Sequence, residues 1–599
     1  MPAMIEALGR GTVLGYCGNV HPVRTFEDLL AVVRGPAREV RDRVGSNIGY
    51  GLWMPADLLM QITDDDTDRL RDAMGESGLV PYTFNAFPYG DFHGHLVKKR
   101  VYEPAWDDPR RAEFTLHAAR LMARLVPEGG LCTVSTLPLG WAAEMTADRR
   151  AGCMERLRLL ASDIADLAES TGRRCSVGLE PEPGCALERS ADVEMLAHDF
   201  GEWPPTLGIC HDVCHAAVMA ESQWDAIELY ADLGIPITKL HLSSSPLVTP
   251  DLWTSDPAVT SSTLEPLDSS RYLHQTYVRR HGGVIAYEDI GKASDDGRSG
   301  AWRIHYHVPI SLARFGTLPT TRETISGAIH AARKAGCEHF EIETYTWPHE
   351  PNTARGISDE FLAVPLVAKR RSILATLARV FRIANLPTVW TNVIAGVTIA
   401  GGSTLGLVSS LVAGSLLYVG GMAFNDAWDA ERDRWERPER PIPRDEITRS
   451  STLMLSVFLL VSGVGLAGMA GAGWIACALA GSILAYTVLH QRTAAAAVFM
   501  ALCRALLYAL GAQAAGEEWS DPLVLTAAGL AAGHTAFITL LARDEAGRPG
   551  TRKLIPWLIA GFCLLDASII FTLAPGWSGL VCAACFLLTI ALQRVLPST

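Results

Sequence analysis

The chain contains 599 residues, carries a net charge of −13 and has 20% charged residues. A chain of this length is expected to fold into more than one domain, and its acidic balance argues against nucleic acid as a partner. The mean hydropathy of +0.16 averages two different halves. Roughly the first 360 residues have the composition of a soluble protein, whereas the remainder is a series of apolar runs.

The N-terminal residues 1–17 lack a basic segment followed by an apolar core, so they do not predict a signal peptide. The 13 cysteines are scattered, and several lie in apolar runs, which is typical of reduced thiols in a protein that faces the cytosol. Cys210 and Cys214 lack the second half of a zinc motif, so we interpret them as core thiols.

Before residue 350, eight short β-type runs occur, most of them followed by a helical pattern. They are residues 12–20, 47–54, 81–87, 131–137, 175–180, 206–212, 237–242 and 339–345. Strands that alternate with helices in this way predict an α/β TIM barrel. Residues 243–338 separate the last two runs, and we interpret this long connection as an excursion that covers the substrate.

Polar residues cluster at the C-terminal ends of the predicted strands, where barrel enzymes carry their active sites. The last four strand ends supply Glu180, Asp212, His241 and Glu343. Their oxygen and nitrogen atoms form a suitable ligand set for one divalent metal ion. A metal ion polarises a carbonyl and its neighbouring hydroxyl, and a carboxylate on each side can move a proton between the carbons.

Other interpretations of these residues stay open. Glu341 alternates with Glu343 and shares its face of the strand, and Glu182 stands in the same relation to Glu180. Each of the four predicted ligands could also be a hydrogen-bonded residue at the mouth of a barrel. The sequence alone does not choose between these glutamates.

The segments around these strand ends, at 179–181, 211–215, 239–242 and 341–344, resemble the xylose isomerase-like superfamily of sugar isomerases and epimerases. The resemblance implies that the four predicted ligands hold one ion such as Mn²⁺, Zn²⁺ or Mg²⁺. It also implies that Glu180 and Glu343 flank the substrate as acid and base.

A closer resemblance covers almost the whole first half. Gly-Tyr-Cys-Gly-Asn-Val-His-Pro at 15–22 and His-Tyr-His-Val-Pro at 305–309 are similar to the EboE-type barrel of the Ebo metabolite-traffic systems. The resemblance implies work on, or movement of, a small metabolite made or matured at the membrane, with other Ebo-type proteins as partners. His93, His305 and His307 are candidate substrate contacts or, equally, packed loop histidines.

The barrel is predicted to occupy residues 1–350. Residues 351–365 lose the barrel rhythm, which predicts a linker. An apolar helical pattern follows, punctuated by Lys369, Arg370, Arg371, Arg379 and Arg382. This pattern predicts an amphipathic helix on the inner leaflet, so that linker and helix together fill residues 351–384 and the membrane domain fills 385–599.

Eight apolar runs follow, each near the length of about 20 residues that spans a bilayer. They are residues 386–402, 405–424, 451–470, 474–489, 494–515, 522–541, 554–573 and 577–592. The even-numbered connections carry Arg or Lys, whereas the odd-numbered ones carry neither. By the positive-inside rule the protein is a multi-pass protein of the cell inner membrane, with the barrel and both termini cytoplasmic.

The second connection and the end of the run before it contain the strongest motif of the chain. Four residues recur there at three- and four-residue steps: Asn425, Asp426, Asp429 and Asp433. On a helix this spacing places them on one face. Clustered carboxylates suit Mg²⁺ held together with substrate phosphates, and Arg440 and Arg444 could take the remaining phosphate charge.

This Asn-Asp-x-x-Asp-x-x-x-Asp string, followed by Arg-Pro-Ile-Pro-Arg at 440–444, resembles the first aspartate motif of the UbiA-type membrane prenyltransferases. The alternative is a solvated charged loop between two membrane helices. The resemblance implies an all-α membrane domain in which the three aspartates bind Mg²⁺ and a polyprenyl diphosphate. The prenyl group would pass to a small-molecule acceptor.

The sequence departs from that family in two respects. The family usually has nine membrane helices, whereas eight apolar runs occur here. The family also has a second, spaced aspartate motif after the sixth helix, where this chain offers only Asp544 and Glu545 beside Arg543. Adjacent residues on a helix diverge by about 100°, so this pair does not reproduce a spaced motif.

The same resemblance suggests further contacts for the donor. Tyr486 and Arg492 lie where the family often has a tyrosine and a basic residue, and Asn392 matches an asparagine of the first helix. Arg504 is an intramembrane charge and hence a functional candidate. It would meet a diphosphate or an acidic acceptor, or serve as a structural partner of Asp566.

We therefore predict a bifunctional membrane-bound protein, in which a UbiA-type prenyltransferase is fused to a metal barrel of the isomerase or epimerase type. The alternative is a non-catalytic membrane module that moves a metabolite or lipid-linked metabolite and tethers the barrel. The weak second acidic motif favours this alternative. A third interpretation, a metal-dependent DNA-repair nuclease, is opposed by the acidic charge and the membrane attachment.

Overall fold

The computed structural model describes residues 8–9, 11–94, 97–268, 272–280, 283–345, 353–543 and 549–596. The chain divides into two compact units, Met1–Arg370 and Arg371–Thr599. The first unit alternates strands with helices, and the described part of the second is helical. Each unit is built around its own buried apolar residues.

The first unit contains a closed ring of parallel strands. In chain order they are β1 (Val13–Cys17), β2 (Ile48–Leu52), β3 (Leu79–Asn85), β4 (Leu131–Thr136), β5 (Arg174–Leu179), β6 (Leu207–Asp212), β7 (Ile237–Leu242) and β8 (His339–Ile342). Strands adjacent in sequence are adjacent in the ring, and β8 closes it against β1, with Val13 opposite His339. The prediction of an eight-stranded TIM barrel is confirmed.

Helices follow most of these strands. They are Phe26–Val32, Val33–Ala37, Arg38–Val44, Ala56–Leu59, Asp64–Glu76, Pro109–Leu125, Ala147–Thr171, Ser190–Phe200, Val213–Val218, Gln223–Asp232 and Ile325–Lys334. Short 3-10 turns lie at Gly18–Val20, Lys98–Tyr102, Ala142–Glu144 and Thr321–Thr324. The helix Asp64–Glu76 illustrates how the local sequence sets a helix start, because Thr63 and Asp66 form a capping box at its first turn. Leu70 and Met74, one turn apart on this helix, are buried in the core.

The long connection between β7 and β8 folds into a small subdomain. Its antiparallel sheet has the strand order Gly283–Tyr287, Thr276–Arg280, Ala301–Ile304 and Leu247–Val248. Three helices, Leu252–Ser255, Pro257–Asp268 and Ile290–Asp295, and a short hairpin of Arg314–Phe315 and Leu318–Pro319 complete it. The subdomain has its own cluster of buried apolar residues, which includes Trp302 and Val278. The predicted excursion is therefore a structured element, and His305 follows its strand Ala301–Ile304.

The prediction of a linker at residues 351–365 is wrong. Thr353–Val367 forms a helix that belongs to the first unit. Ile357 and Phe361, one turn apart, are buried in the apolar core of the barrel. Pro365 does not interrupt this helix because it lies in the last turn, where its missing N–H removes a single backbone hydrogen bond. The barrel unit therefore continues beyond its predicted end.

A short helix, Ile373–Val380, stands where the basic amphipathic pattern predicts one. Its flanking cations contact a carboxylate of the same unit, since Arg371 Nε lies 3.0 Å and Arg379 Nη1 2.9 Å from Glu446 Oε1. The side of the helix that carries Leu374 is open, because this residue is 76% exposed. The location of the helix on a lipid surface stays a prediction.

The second unit contains a helix for each of the predicted apolar runs. They are α1 (Leu386–Ala400), α2 (Thr404–Glu436), α3 (Arg449–Met469), α4 (Gly473–Leu489), α5 (Ala496–Ala514), α6 (Pro522–Arg543), α7 (Pro549–Leu573) and α8 (Trp577–Val595). Within the described residues, 7 helices are long and apolar enough to cross a membrane, and α4 is a shorter apolar helix. The chain is a multi-pass membrane protein.

Small residues let two of these helices approach closely. A Cβ atom on Gly396 of α1 would lie 2.2 Å from the carbonyl oxygen of Tyr508 in α5. A Cβ atom on Gly511 of α5 would lie 2.6 Å from the carbonyl oxygen of Val393. Glycine at these positions allows close backbone packing, as is common between membrane helices. This packing brings the polar side chains of α1 and α5 together.

His339 makes the stability of the barrel depend on pH. The residue is 3% exposed, its Nδ1 lies 3.0 Å from Thr133 Oγ1, and burial lowers the pKa of His339 to about 3. An unfolded histidine has a pKa of about 6.5, so the unfolded chain binds the proton more tightly. The stability that His339 contributes is present above pH 6.5 and is lost as the pH falls towards 3.

We expect the protonation of His339 in the unfolded chain to lower the free energy of unfolding of the barrel by about 2 kcal/mol at pH 5, relative to neutral pH. The measurement is the thermal unfolding of the barrel in the detergent-solubilised full-length protein between pH 5 and pH 7. His339→Gln, which cannot take up the proton, should flatten that pH profile. An unchanged slope in this variant would show that the acid sensitivity has another source.

Candidate functional sites

Three of the four predicted metal ligands meet at the C-terminal mouth of the barrel. Glu180 follows β5, Asp212 ends β6, and His241 lies near the end of β7. His241 Nδ1 lies 3.2 Å from Glu180 Oε1 and 3.4 Å from Asp212 Oδ2. All three side chains are buried, and Glu180 Oε2 has no hydrogen-bond partner among the described residues.

The hydrogen bonds of His241 fix which ring nitrogen faces the two carboxylates. His241 Nε2 lies 2.9 Å from Glu341 Oε2, which can only accept a hydrogen bond when ionised, so Nε2 carries the proton. Nδ1 faces the oxygen atoms of Glu180 and Asp212, so it donates a hydrogen bond to them when the ring is protonated and can bind a metal ion when it is not. A carboxylate behind a metal-binding histidine is its usual partner. The residues therefore fit a divalent ion.

Glu341, the alternative to Glu343, has a different environment. Its Oε2 atom lies 2.7 Å from Lys239 Nζ, and both side chains are 0% exposed. Burial alone would raise the pKa of Glu341, but Lys239 and His241 hold it at about 2. Glu341 is thus an ionised carboxylate that orients His241 from below the mouth, whereas Glu343 lines the pocket.

Glu343 joins the other predicted ligands through a histidine. Its Oε1 atom accepts a hydrogen bond of 2.7 Å from Asn19 Nδ2, and its Oε2 atom lies 2.5 Å from His307 Nδ1. Ligand atoms of His307 and Asp212 lie within 4.8 Å of each other. The structure therefore gathers all four predicted residues at one mouth, with Glu343 at its edge.

The mouth opens into a pocket. Glu180, Glu182 and Glu343 line it, together with aromatic side chains that include Tyr102 and Tyr345. The Tyr102 hydroxyl donates a hydrogen bond of 2.6 Å to Glu182. Burial raises the pKa of Glu182 to about 8, so this carboxyl group carries a proton at neutral pH. Glu182 is therefore a carboxylic acid that can donate a hydrogen bond or a proton within this pocket.

Histidines also line this pocket: His215, His305 and His307. His305 and His307 were predicted as site residues, but His215 was not. His215 lies one turn after Asp212, in the helix Val213–Val218, and three-residue spacing on a helix places both on one side. Burial alone would raise the pKa of Asp212, but His215 and His307 hold it well below its usual range.

His93 lies away from the other histidines. Its Nε2 atom lies 2.8 Å from the carbonyl oxygen of Asn19, and its ring packs edge-on against Trp53 with centroids 5.7 Å apart. These contacts favour the alternative of a packed loop histidine. Cys210 and Cys214 are buried free thiols, in keeping with their prediction as core residues.

In the second unit, Asp426, Asp429 and Asp433 lie near the C-terminal end of α2 and are 4%, 7% and 4% exposed. Arg440 Nη1 lies 2.5 Å from Asp433 Oδ2 and 3.6 Å from Asp426 Oδ1. One cation therefore contacts two of the carboxylates. Such convergent negative charge is what Mg²⁺ requires when it binds together with substrate phosphates, so these residues fit the predicted ion.

Contacts from outside the motif were not predicted. Arg382 Nη2 lies 2.8 Å from Asp426 Oδ1. Gln491 Nε2 donates a hydrogen bond of 2.5 Å to Asp429 Oδ1, and His490 Nε2 lies 3.3 Å from Asp429 Oδ2. The sequence pattern predicts that Arg382 belongs to an amphipathic helix on the inner leaflet, and Gln491 carries no recognisable signal.

The predicted neighbours of the motif divide into two groups. Asn425 Nδ2 donates a hydrogen bond of 3.2 Å to Asp429 Oδ2, and Arg440 contacts the carboxylates directly. Arg444 Nη1 instead lies 3.9 Å from Glu446 Oε1. The structure therefore places Asn425 and Arg440 within the carboxylate cluster and gives Arg444 a contact with a different acid.

Tyr486 and Arg492, the predicted donor contacts at the end of α4 and just after it, have different environments. Tyr486 stacks on His490 with ring centroids 5.3 Å apart, and so borders the motif through that histidine. Arg492 is exposed, although its neighbour Gln491 reaches the motif. Asp544 and the side chain of Arg543, the candidate donor contacts at the place of the second aspartate motif, lie outside the described residues.

A second polar group is buried between α1, α5 and α7. Asn392 Nδ2 donates a hydrogen bond of 2.8 Å to Asp566 Oδ2, and Arg504 Nη1 donates one of 2.9 Å to Asn392 Oδ1. The Tyr508 hydroxyl donates to the other oxygen of Asp566. Arg504 is thus linked to Asp566 through Asn392, which supports the structural alternative for this arginine.

Comparison with known proteins gives a relationship for each unit. Residues 385–596 match the UbiA prenyltransferase family, and residues 43–264 match the family of xylose isomerase-like TIM barrels. A digeranylgeranylglyceryl phosphate synthase from Methanopyrus kandleri is 36% identical over 96 residues, which are 16% of this chain and 35% of the relative. A synthase of the same name from Methanothrix thermoacetophila is 32% identical over 112 residues, which are 18% of this chain and 42% of the relative. The chain thus spans less than half the length of these curated relatives.

Solved structures resemble each unit at low identity. A xylose isomerase-like TIM barrel protein from Mycobacterium smegmatis, in complex with magnesium, is 11% identical with a TM-score of 0.36, over 60% of this chain and 98% of that one. A UbiA homologue from Archaeoglobus fulgidus is 14% identical with a TM-score of 0.27, over 37% of this chain and 87% of that one. On the family matches, the chain joins an N-terminal xylose isomerase-like TIM barrel to a C-terminal UbiA prenyltransferase domain.

Proposed function

We propose that the C-terminal domain transfers a prenyl group from a polyprenyl diphosphate to a small-molecule acceptor. The observation that carries this proposal is the convergence of Asp426, Asp429 and Asp433, all buried, on one face of α2 beside Arg382 and Arg440. These aspartates would hold Mg²⁺, which when bound neutralises the charge that develops on a diphosphate leaving group.

The arginines of this site would bind the diphosphate itself. Arg382 and Arg440 now contact Asp426 and Asp433. A guanidinium group binds phosphate oxygens in the same bidentate manner as carboxylate oxygens, so both side chains can exchange one partner for the other.

The test uses the purified full-length protein in detergent with a panel of polyprenyl diphosphates. The panel includes a geranylgeranyl donor, because the curated relatives are named for a geranylgeranyl product. Lipid and small-molecule extracts of the host supply candidate acceptors, and mass spectrometry detects prenylated products. We expect a product that depends on Mg²⁺. A folded protein that binds the donor and forms no prenylated product or diphosphate would contradict the proposal.

For the barrel we propose proton transfer next to a carbonyl group of a related small metabolite, as in sugar isomerases and epimerases. Glu180, Asp212, His241 and Glu343 would hold a divalent ion such as Mn²⁺, Zn²⁺ or Mg²⁺, which when bound polarises that carbonyl. Glu180 and Glu343 would exchange the proton as base and acid. The pocket, which these two glutamates line, supports this assignment.

The barrel proposal predicts a large effect of Glu343→Gln. With a panel of ketoses in D₂O, the wild type should incorporate deuterium beside the carbonyl, and Glu343→Gln should lower that rate by about 10²–10⁴-fold, the usual contribution of a general acid or base. Glu338→Gln is the matched control, since Glu338 pairs with Arg174 on the outside of the barrel. Equal rates in the two variants would exclude Glu343 from the chemistry.

A second candidate function is a non-catalytic module that carries a lipid-linked metabolite and tethers the barrel. The observation that favours it is that Asp426 and Asp433 already have arginine partners. This module would bind the donor with the same affinity in the presence and absence of Mg²⁺. In either case we propose that the barrel and both termini lie on the cytoplasmic side of the inner membrane, with other Ebo-type proteins as partners.

A further inference from the structure

Asn19 binds Glu343 with one end of its amide group, and the other end of the amide has no protein partner. Asn19 Nδ2 donates a hydrogen bond of 2.7 Å to Glu343 Oε1. An ionised carboxylate can only accept a hydrogen bond, so the nitrogen end of the amide must face it. Asn19 Oδ1 therefore lies at the end turned away from this contact, and it accepts no hydrogen bond from the described residues.

This oxygen atom is buried, since Asn19 is 2% exposed. A buried acceptor without a partner is unfavourable and rare in folded proteins, so it needs an explanation. Asn19 lines the pocket of the barrel, and a ligand can therefore supply the missing partner. An amide oxygen has lone pairs and no proton. The ligand group that fits it is a hydrogen-bond donor such as a hydroxyl group.

The backbone of Asn19 is fixed by contacts outside the pocket. The residue lies in the 3-10 turn Gly18–Val20, directly after β1. Its carbonyl oxygen can only accept, so His93 Nε2 donates the hydrogen bond of 2.8 Å between them. The His93 ring in turn packs against Trp53. Asn19 is thus oriented before a ligand arrives and loses little freedom when it binds one.

Other polar side chains of the pocket already have partners. The second asparagine that lines it, Asn85, accepts a hydrogen bond of 3.1 Å from the backbone N–H of Phe87. The Tyr102 hydroxyl donates to Glu182. Apart from carboxylate oxygens of the predicted metal ligands, Asn19 Oδ1 is the only buried polar atom without a hydrogen-bond partner among the described side chains that line the pocket. This contrast singles out Asn19 as a contact for a ligand.

We propose that Asn19 is a substrate-binding residue of the barrel, which accepts a hydrogen bond from a hydroxyl group on a carbon next to the substrate carbonyl. This inference rests on the proposed proton transfer and names its substrate class, a hydroxy ketone or hydroxy aldehyde. Asn19 binds the Glu343 carboxylate through Nδ2 and the substrate through Oδ1, so it holds the reacting carbon beside that carboxylate. A carbonyl compound without this hydroxyl group would leave Oδ1 unpaired and bind more weakly.

The test is calorimetric binding to the full-length protein in detergent in the presence of Mn²⁺. The probes are D-fructose, D-tagatose and L-ribulose, each compared with its 1-deoxy and 3-deoxy forms, which lack one hydroxyl group beside the carbonyl. We expect the wild type to bind a ketose at least about 10-fold more tightly than one of its deoxy forms, as a hydrogen bond to a buried and otherwise unpaired group implies. Asn19→Leu, of similar size and without an acceptor, should reduce this ratio by about 10-fold.

Three further variants separate recognition of the hydroxyl group from folding. Asn19→Ala removes the same oxygen without filling its place, and it replaces Asn19→Leu if leucine lowers the Tm of the barrel. Asn19→Asp keeps an acceptor oxygen and should keep the preference for the ketose. Asn47→Leu is the matched control, because Asn47 is exposed just before β2, at the opposite end of the barrel from the mouth.

An asparagine that only orients Glu343 would weaken the binding of ketose and deoxyketose alike and leave their ratio unchanged. A ratio in the folded variant without the acceptor that equals the ratio in Asn47→Leu would therefore overturn the inference. Failure of all three ketoses to bind the wild type would overturn it as well.

Deuterium incorporation distinguishes failure of this inference from failure of the proposed function. If the preference depends on Asn19 and the wild type incorporates no deuterium beside the carbonyl, the proton transfer is wrong and recognition of the hydroxyl group stands. If deuterium is incorporated and the preference does not depend on Asn19, the inference is wrong and the proton transfer stands.

Discussion

Asp429→Asn is expected to lower the Mg²⁺-dependent release of diphosphate by at least about 100-fold, because changes even to residues that support a metal ligand cost 10–100-fold. Asp429 is the centre of the carboxylate cluster, where Asn425 and Gln491 each donate a hydrogen bond to it. Asparagine keeps the size of the side chain and removes the charge. The loss should therefore come from metal binding and not from unfolding.

The control for this variant lies on the same helix. Glu431→Gln removes a carboxylate from α2 whose side chain is 85% exposed. It should leave diphosphate release close to that of the wild type. Donor binding measured with each variant separates loss of affinity from loss of turnover. Equal diphosphate release by Asp429→Asn and Glu431→Gln would show that the motif does not bind the catalytic ion.

Lys239→Met is expected to destabilise the barrel by about 3–5 kcal/mol, the cost of removing one partner from a buried ion pair. Lys239 Nζ lies 2.7 Å from Glu341 Oε2 and 3.0 Å from Ser135 Oγ, inside the ring of strands. Without the ammonium group, an ionised carboxylate stays buried beside His241. The measurement is the Tm of the barrel transition in the full-length protein.

Two comparisons make this stability prediction specific. The double variant Lys239→Met/Glu341→Met removes both charges and should regain most of the lost stability, since it leaves no unpaired buried charge. Lys334→Met breaks the exposed pair with Glu228 and should change the Tm little. A Tm for Lys239→Met equal to that of Lys334→Met would contradict the account of this pair.

Much of the architecture could be predicted because the signals are local and repeated. A β-type run such as 207–212, followed by a helical pattern, identifies one unit of a parallel barrel, and each such unit supports the next. Apolar runs of about 20 residues identify the membrane helices in the same way. The helix Thr353–Val367 was missed because its apolar residues pack against a core that the sequence does not reveal.

In the candidate sites, too, residues with a local sequence signal could be predicted, whereas residues that depend on tertiary contacts could not. Glu180, Asp212 and His241 could be predicted because strand ends of a barrel meet at one mouth whatever the side-chain details. The choice between Glu341 and Glu343 required the structure, since Lys239 pairs with Glu341.

Contacts that cross between elements were beyond sequence reasoning. Gln491 and Arg382 reach the aspartate motif from distant positions of the chain, and neither belongs to the motif. The pocket residue His215 lies one turn beyond the predicted ligand Asp212, so this spacing could have suggested it.

The most direct test of the central claim is release of diphosphate from a polyprenyl diphosphate by the full-length protein, with and without Mg²⁺. We expect turnover that requires Mg²⁺ and disappears when Asp426 and Asp429 are both replaced by asparagine. Diphosphate release that is absent in a folded, donor-binding protein, or that persists in the double variant, would contradict the assignment of prenyl transfer to the C-terminal domain.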